Sequence, residues 1–180
     1  WKNNFSFSRN ELIEKCNKEW IFMIDSDEEL KEESIINLKK LMNNIDYNKV
    51  YAPKIIDLYK DNQSVRYVSK IIPKYIRFKG DLHEYPFSDS IKLQIEKIEN
   101  IELIHYGYLP EVIERKKTND RNLSILEEAI KKNTEPKENI LYYKIKYLCN
   151  LIDLENNKLL DKLKIEIIEN FTKEIYSDYT

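Results

Sequence analysis

The residues best suited to chemistry lie together in Trp20-Ile21-Phe22-Met23-Ile24-Asp25-Ser26-Asp27-Glu28-Glu29. The apolar run Ile21 to Ile24 is rich in branched and aromatic types and reads as a buried strand. Acidic residues follow it at once, with Asp25 and Asp27 one position apart. In an open α/β sheet, ligands bind where strands end and loops begin. A carboxylate pair placed there can hold a divalent cation against the phosphates of a substrate, because hard cations prefer oxygen ligands. The simpler alternative is that Asp27 to Glu29 open the next helix, where acidic side chains suit the positive end of its dipole. Asp-x-Asp alone is a weak motif. An EF-hand loop is excluded, since its sixth position would be Leu30 instead of Gly and its twelfth Ile36 instead of Glu. Cys16, His83, His105 and Cys149 lack the paired spacing of a zinc site.

The elements that must position these residues follow from pattern. Ser8 is placed to cap a helix running to about Cys16, with Glu11 completing a capping box and Leu12, Ile13 and Cys16 forming its buried stripe. Glu32 to Asn44 reads as a second helix, carrying Ile35, Leu38 and Leu41 or Met42 at helical spacing. Tyr47 to Tyr59 reads as a strand, with Asp61-Asn62 as its turn. Val65 to Ile72 and Tyr75 to Phe78 are short strands flanking Pro73, and Ile91 to Ile98 and Ile101 to Ile104 are two more. Arg66, Lys70, Lys74, Arg77 and Lys79 form a basic run whose alternation puts most of them on the exposed side of edge strands. From Pro110 the pattern is helical: Val112 to Lys132, Glu138 to Leu154 and Lys158 to about Tyr176, each with one apolar face. The boundary between the two regions falls near Pro110.

The 180 residues suit one domain or one and a half, and the missing initial Met leads us to expect a chain that begins inside a longer protein. An apolar content of 42% supports a core, while 34% charged residues and a mean hydropathy of -0.64 point to a soluble, cytoplasmic protein. With a net charge of -2 and interspersed signs, no basic face for nucleic acid is expected. No apolar run is long enough to span a bilayer, so membrane association is at most peripheral. Two isolated cysteines fit a reducing compartment.

One order of segments stands out. Trp1 and Phe5-Ser6-Phe7-Ser8-Arg9-Asn10 come first, and the strand ending in Asp25-Ser26-Asp27-Glu28 follows. Then come Phe78-Lys79-Gly80-Asp81-Leu82-His83-Glu84, Ile104-His105-Tyr106-Gly107-Tyr108, and Arg121-Asn122-Leu123. Over roughly residues 1 to 130 this order resembles the second half of family 2 glycosyltransferases with a GT-A fold. It is most similar to the bacterial branch with a helical, tetratricopeptide-like tail, which includes lipopolysaccharide-core glucosyltransferases and enzymes that glycosylate peptide bacteriocins. The resemblance implies an α/β fold: residues 1–109 as the C-terminal half of a Rossmann-like GT-A catalytic domain, and 110–180 as an α-helical extension. It also implies a nucleotide-sugar donor, a UDP-sugar by expectation, a Mn²⁺ or Mg²⁺ ion, transfer with inversion, and a glycan, lipid or peptide acceptor.

Residue by residue, the resemblance implies that Asp25 faces the donor ribose or a metal-bound water and that Asp27 ligates the metal. His105 matches a histidine that completes the metal shell from a late strand; the plainer role is a core histidine bonded to backbone. A metal there neutralises charge growing on the departing diphosphate. Glu84 is the candidate general base for the acceptor proton. His83 is a helper, and Asp81 and Glu28 are rivals. Arg9 and Asn10 match an Arg-Asn pair near the donor, and Arg77 or Lys79 is placed to meet the diphosphate. Trp1, Tyr106 and Tyr108 are candidates for a sugar-stacking wall. Two other readings stand beside this one. The first is a helical-repeat adaptor on an inert α/β scaffold, which would bind neither metal nor nucleotide. The second is a nucleotidyltransferase sharing fold and metal pair.

Overall fold

The computed structural model describes residues 4–82, 84–90, 92–116, 118–132, 140 and 143–147; Trp1, His83 and the third expected helix lie outside them. The chain divides into two compact units, Trp1–Lys116 and Lys117–Thr180. The first unit contains α1 (Phe5–Lys15), β1 (Trp20–Phe22), β2 (Glu28–Leu30), α2 (Ser34–Asn43), β3 (Lys49–Leu58), β4 (Gln63–Tyr67), β5 (Ile71–Pro73), β6 (Arg77–Lys79), β7 (Tyr85–Phe87), β8 (Gln94–His105) and α3 (Pro110–Lys116). In the second unit α4 (Thr118–Lys132) buries Ile125, Leu126 and Ala129, and Ile140, Tyr143 and Tyr147 are buried as well. Residues 112–116 and 118–132, within the stretch expected to be helical, are helical. Among the described residues, no helix is long and apolar enough to cross a membrane.

The first unit is α/β. Its main sheet runs β1-β5-β3-β8-β2, with β4 also paired to β3; among the described strands of this sheet only β3 and β8 run parallel. Strand alternation sorts the side chains into two cores. On one face Ile21, Val50 and Ile72 join Met23, Ile76, Phe78 and Ile13 of α1. On the other, Tyr51, Ile71 and Ile101 meet Trp20, Phe22 and Leu30, and Leu38 and Leu41 of α2. Helices thus cover both faces, and β3 reads as a near-continuous apolar strand for that reason.

Several expectations give way to a physical competitor. Helix α1 starts at Phe5, not after Ser8, because Asn4 is extended and its side chain accepts from the Phe7 amide at 2.6 Å. Of its expected buried stripe, Ile13 is buried and Cys16 packs partly buried against the same core, while Leu12 is exposed. Glu28 to Leu30 do not open a helix: they form β2 against β8, with Glu28 opposite His105. Helix α2 is pinned instead by Ser34, whose hydroxyl accepts from the Glu102 amide at 2.8 Å, and Ile35 is left exposed. The two late strands are one. The pairing of β8 with β3 shifts between Pro53↔Ile98 and Lys54↔Glu102, so Glu99 to Ile101 are accommodated within a single strand. Gly80 follows β6 with a φ of 96°, a conformation L side chains rarely adopt.

Candidate functional site

Three strand ends bring the acidic segment, a late histidine and a buried acid together. Strand β2 and β8 pair so that Asp27 precedes the Glu28↔His105 position, and the Tyr106 amide donates to the Asp27 carbonyl at 2.9 Å. On the other side of β8, Asp57 of β3 is the neighbour of His105. His105 Nε2 lies 3.5 Å from Asp27 Oδ2, and Nδ1 lies 2.6 Å from Asp57 Oδ1. Asp57 is 1% exposed, so its charge needs a partner. Arg66 supplies it with a two-pronged contact, Nε to Oδ2 at 2.6 Å and Nη2 to Oδ1 at 3.1 Å. Burial pushes the Asp57 carboxyl up, but His105 and Arg66 outweigh it and hold the group below its usual range. Burial likewise opposes charge on His105, yet Asp27 and Asp57 raise its pKa to about 9.

Gly107 closes against this pair. A Cβ there would lie 2.6 Å from Asp27 Oδ2 and closer still to His105 Nε2, so any side chain would fill the space the two atoms face. Tyr108 meets His105 edge-on at 4.9 Å and stacks on Tyr59 at 5.0 Å with rings nearly parallel. The resemblance implies a divalent cation, and the donor set suits one: a carboxylate oxygen and an imidazole nitrogen converge, with the other ring nitrogen anchored on a carboxylate. Among the described residues no three His, Cys, Asp or Glu side chains are placed to hold one metal ion together, since Asp57 is taken up by His105 and Arg66. Two protein ligands are what a cation carried largely by phosphates and water requires.

Asp25 belongs to a second cluster. Its carboxylate receives the buried Lys70 ammonium at 2.6 Å, and Arg9 Nη2 lies 3.1 and 3.2 Å from its two oxygens. Lys70 also donates to Glu28 at 2.7 Å, and Glu28 accepts from the Asp25 amide at 2.9 Å. Arg9 Nε donates to Glu84, joining that residue to the cluster. Burial raises the Asp25 pKa, but Lys70 and Arg9 outweigh it and lower it overall. Burial lowers that of Arg9, and Glu84 and Asp25 more than restore it. With Lys70 only 2% exposed, removing one partner of such a pair alone costs about 3–5 kcal/mol.

The structure therefore brings together Asp25, Asp27, His105, Arg9 and Glu84 of the expected site, in two adjoining clusters. Others it places elsewhere. Asn10 trades hydrogen bonds with the Phe78 backbone, 3.0 Å from Nδ2 and 2.8 Å to Oδ1, and so bolts α1 to β6. Asp81 accepts from Asn4 at the start of α1. Arg77 pairs with Glu14 and caps the carbonyls of Lys74 and Ile76, and Lys79 lies 3.2 Å over the Phe87 ring. His83 is outside the described residues. Lys70, expected on an exposed edge, is buried. Asp57 carries no motif, and its one signal in the sequence is an acid within the apolar stretch Ile55-Ile56-Asp57-Leu58, which requires a buried partner.

No protein-family model matches the chain. Two curated relatives do: the SPbeta prophage-derived glycosyltransferase SunS of Bacillus subtilis (strain 168) and glycosyltransferase SunS of Bacillus phage SPbeta. Each is 28% identical over 180 residues, spanning 96% of this chain and 41% of the relative. The chain thus spans about two-fifths of the length of the curated relatives it matches. Along nearly all of its own length it is similar to proteins named as glycosyltransferases.

Proposed function

We propose that this chain is the metal- and acceptor-side part of an inverting glycosyltransferase of family 2 type. In this reading residues 1–109 are the second half of a GT-A domain and 110–180 a helical, tetratricopeptide-like extension. The observation that carries the reading is the convergence of Asp27 Oδ2 and His105 Nε2, 3.5 Å apart, beneath a residue that has no side chain. Asp27 and His105 would hold Mn²⁺ or Mg²⁺, which supplies neutralisation of charge on the departing diphosphate of a UDP-sugar. Mixed nitrogen and oxygen ligands favour Mn²⁺. Asp25, pinned by Lys70 and Arg9, presents an ionised carboxylate of fixed orientation to a sugar or ribose hydroxyl. Glu84 takes the acceptor's proton as its nucleophile attacks, with Arg9 fixing the carboxylate. The acceptor is a glycan, lipid or peptide.

The test is hydrolysis of a panel of UDP- and GDP-sugars by the full-length protein with and without Mn²⁺, beside Asp27→Ala, Gly107→Ala and Glu84→Gln. The expected result is Mn²⁺-dependent turnover that disappears in Asp27→Ala and falls at least tenfold (on the order of the effect of losing ligand geometry) in Gly107→Ala. Glu84→Gln should lower kcat with donor KM unchanged if Glu84 is the base. A raised donor KM would instead make it an anchor for Arg9. No turnover and no Mn²⁺-dependent nucleotide binding would sink the transferase reading in favour of the adaptor.

A further inference from the structure

His105 sits between two carboxylates, and only one of its nitrogens can carry the proton when the ring is neutral. The distances decide which. Asp57 Oδ1 is 2.6 Å from Nδ1, a strong hydrogen bond, whereas Asp27 Oδ2 is 3.5 Å from Nε2, at the limit of one. Asp57 in turn cannot swing away. Its side chain is 2% exposed, and Arg66 grips both of its oxygens from β4. Arg66 and Asp57 are diagonal neighbours across the β3·β4 pair, since Asp57 lies opposite Ser64. Asp57 and His105 are side by side on the parallel pair β3·β8, in a register that exists only beyond the shift at Pro53/Lys54.

We propose that Asp57, braced by Arg66, is a positioning residue that keeps the proton of the neutral His105 ring on Nδ1. Nε2 is thereby turned, unprotonated, toward Asp27. The use of that tautomer, to ligate a cation, rests on the metal reading above; the tautomer itself does not. Asp57→Asn separates this role from simple packing. The amide oxygen is drawn to Arg66 Nε, the shorter guanidinium contact at 2.6 Å, which turns the NH₂ group toward His105 Nδ1 and leaves only the longer Arg66 Nη2 contact, 3.1 Å, to turn aside. A donor there makes Nδ1 the acceptor and drives the ring proton to Nε2, facing Asp27. The reverse amide orientation sets NH₂ against the Arg66 Nε–H. Removing Arg66 as well, in Asp57→Asn/Arg66→Met, frees the amide oxygen to face Nδ1–H and removes the charge that Asp57 no longer balances.

The experiment is carried out on the full-length protein, labelled with ¹⁵N-histidine, with the His105 ring assigned by its loss in His105→Gln. Ring ¹⁵N shifts of the metal-free protein at pH 10 report the tautomer, and a Mn²⁺ titration in the presence of UDP reports affinity. We expect Nδ1–H in the unsubstituted protein, Nε2–H in Asp57→Asn with Mn²⁺ affinity lower by about 10- to 100-fold, and return of Nδ1–H with partial recovery of affinity in the double variant. The recovery keeps the test decisive if the single variant folds poorly. Nε2–H in the unsubstituted protein, or an Asp57→Asn tautomer and affinity both unchanged, would overturn the proposal. Nδ1–H in a protein that binds no Mn²⁺ would support the positioning role and sink the metal reading alone.

Discussion

At the scale of the residue, His105 is held between two carboxylates, and that has a consequence for the metal-free protein. Its pKa is raised from 6.5 to about 9 because Asp27 and Asp57 together outweigh the cost of burial. A group whose folded pKa is raised contributes stability that is complete below its unfolded value and is lost as pH climbs through the folded one. In EDTA, the melting temperature should therefore fall between pH 6.5 and about 9. His105→Gln should lack that component, so the two profiles converge at high pH. Parallel profiles would mean that the ring is not held between two carboxylates. The sequence exposed some of this cluster and hid the rest, for a definite reason. Asp27 and His105 stand out because each ends an apolar strand. Lys70 looks like its exposed basic neighbours, since a lysine's burial depends on whether Asp25 and Glu28, distant in sequence, come to meet it.

At the scale of the element, α1 matters because it carries Arg9 toward Asp25 and Glu84. Its start is set by Asn4, which accepts from the Phe7 amide at 2.6 Å and from the Ser6 hydroxyl at 2.9 Å while donating to Asp81. Replacing such a cap with Ala costs about 1 kcal/mol. In Asn4→Ala the first-turn amides of α1 should then exchange with solvent about fivefold faster, with exchange in β3 and β8 unchanged. Equal exchange in α1 would show that the Asn10–Phe78 hydrogen bonds, not the cap, fix the helix. Sequence pattern located α1 but misplaced its start, because Asn4 and Ser8 are both good caps and only the fold brings Asp81 to one of them. It likewise split β8 in two. An irregularity that absorbs Glu99 to Ile101 breaks the period-two pattern while leaving the strand whole. That same irregularity sets Asp57 beside His105, so the feature that spoiled the reading also builds the site.

At the scale of the molecule, the division falls at Lys116/Lys117, a few residues beyond the boundary near Pro110 where the helical pattern begins. Each described side chain placed in either cluster, from Arg9 to His105, belongs to Trp1–Lys116. In the second unit Ile125, Leu126, Ala129, Ile140, Tyr143 and Tyr147 are buried, and α4 carries solvent-facing i,i+4 pairs, Lys131 to Glu127 at 3.0 Å and Lys132 to Glu128 at 3.9 Å. If the transferase reading is right, the full-length protein truncated after Lys116 should keep Mn²⁺-dependent hydrolysis of its sugar nucleotide to within about tenfold, since about 1.4 kcal/mol of lost support corresponds to that factor. Transfer to the true acceptor is the activity free to change. The adaptor reading expects the reverse, partner binding lost on truncation and no hydrolysis before or after it. Hydrolysis that is Mn²⁺-dependent in the full-length protein and absent from a truncated form that still folds would mean that the second unit completes the site. The metal and proton chemistry proposed here for Asp27, His105 and Glu84 would then need a further participant from beyond Lys116.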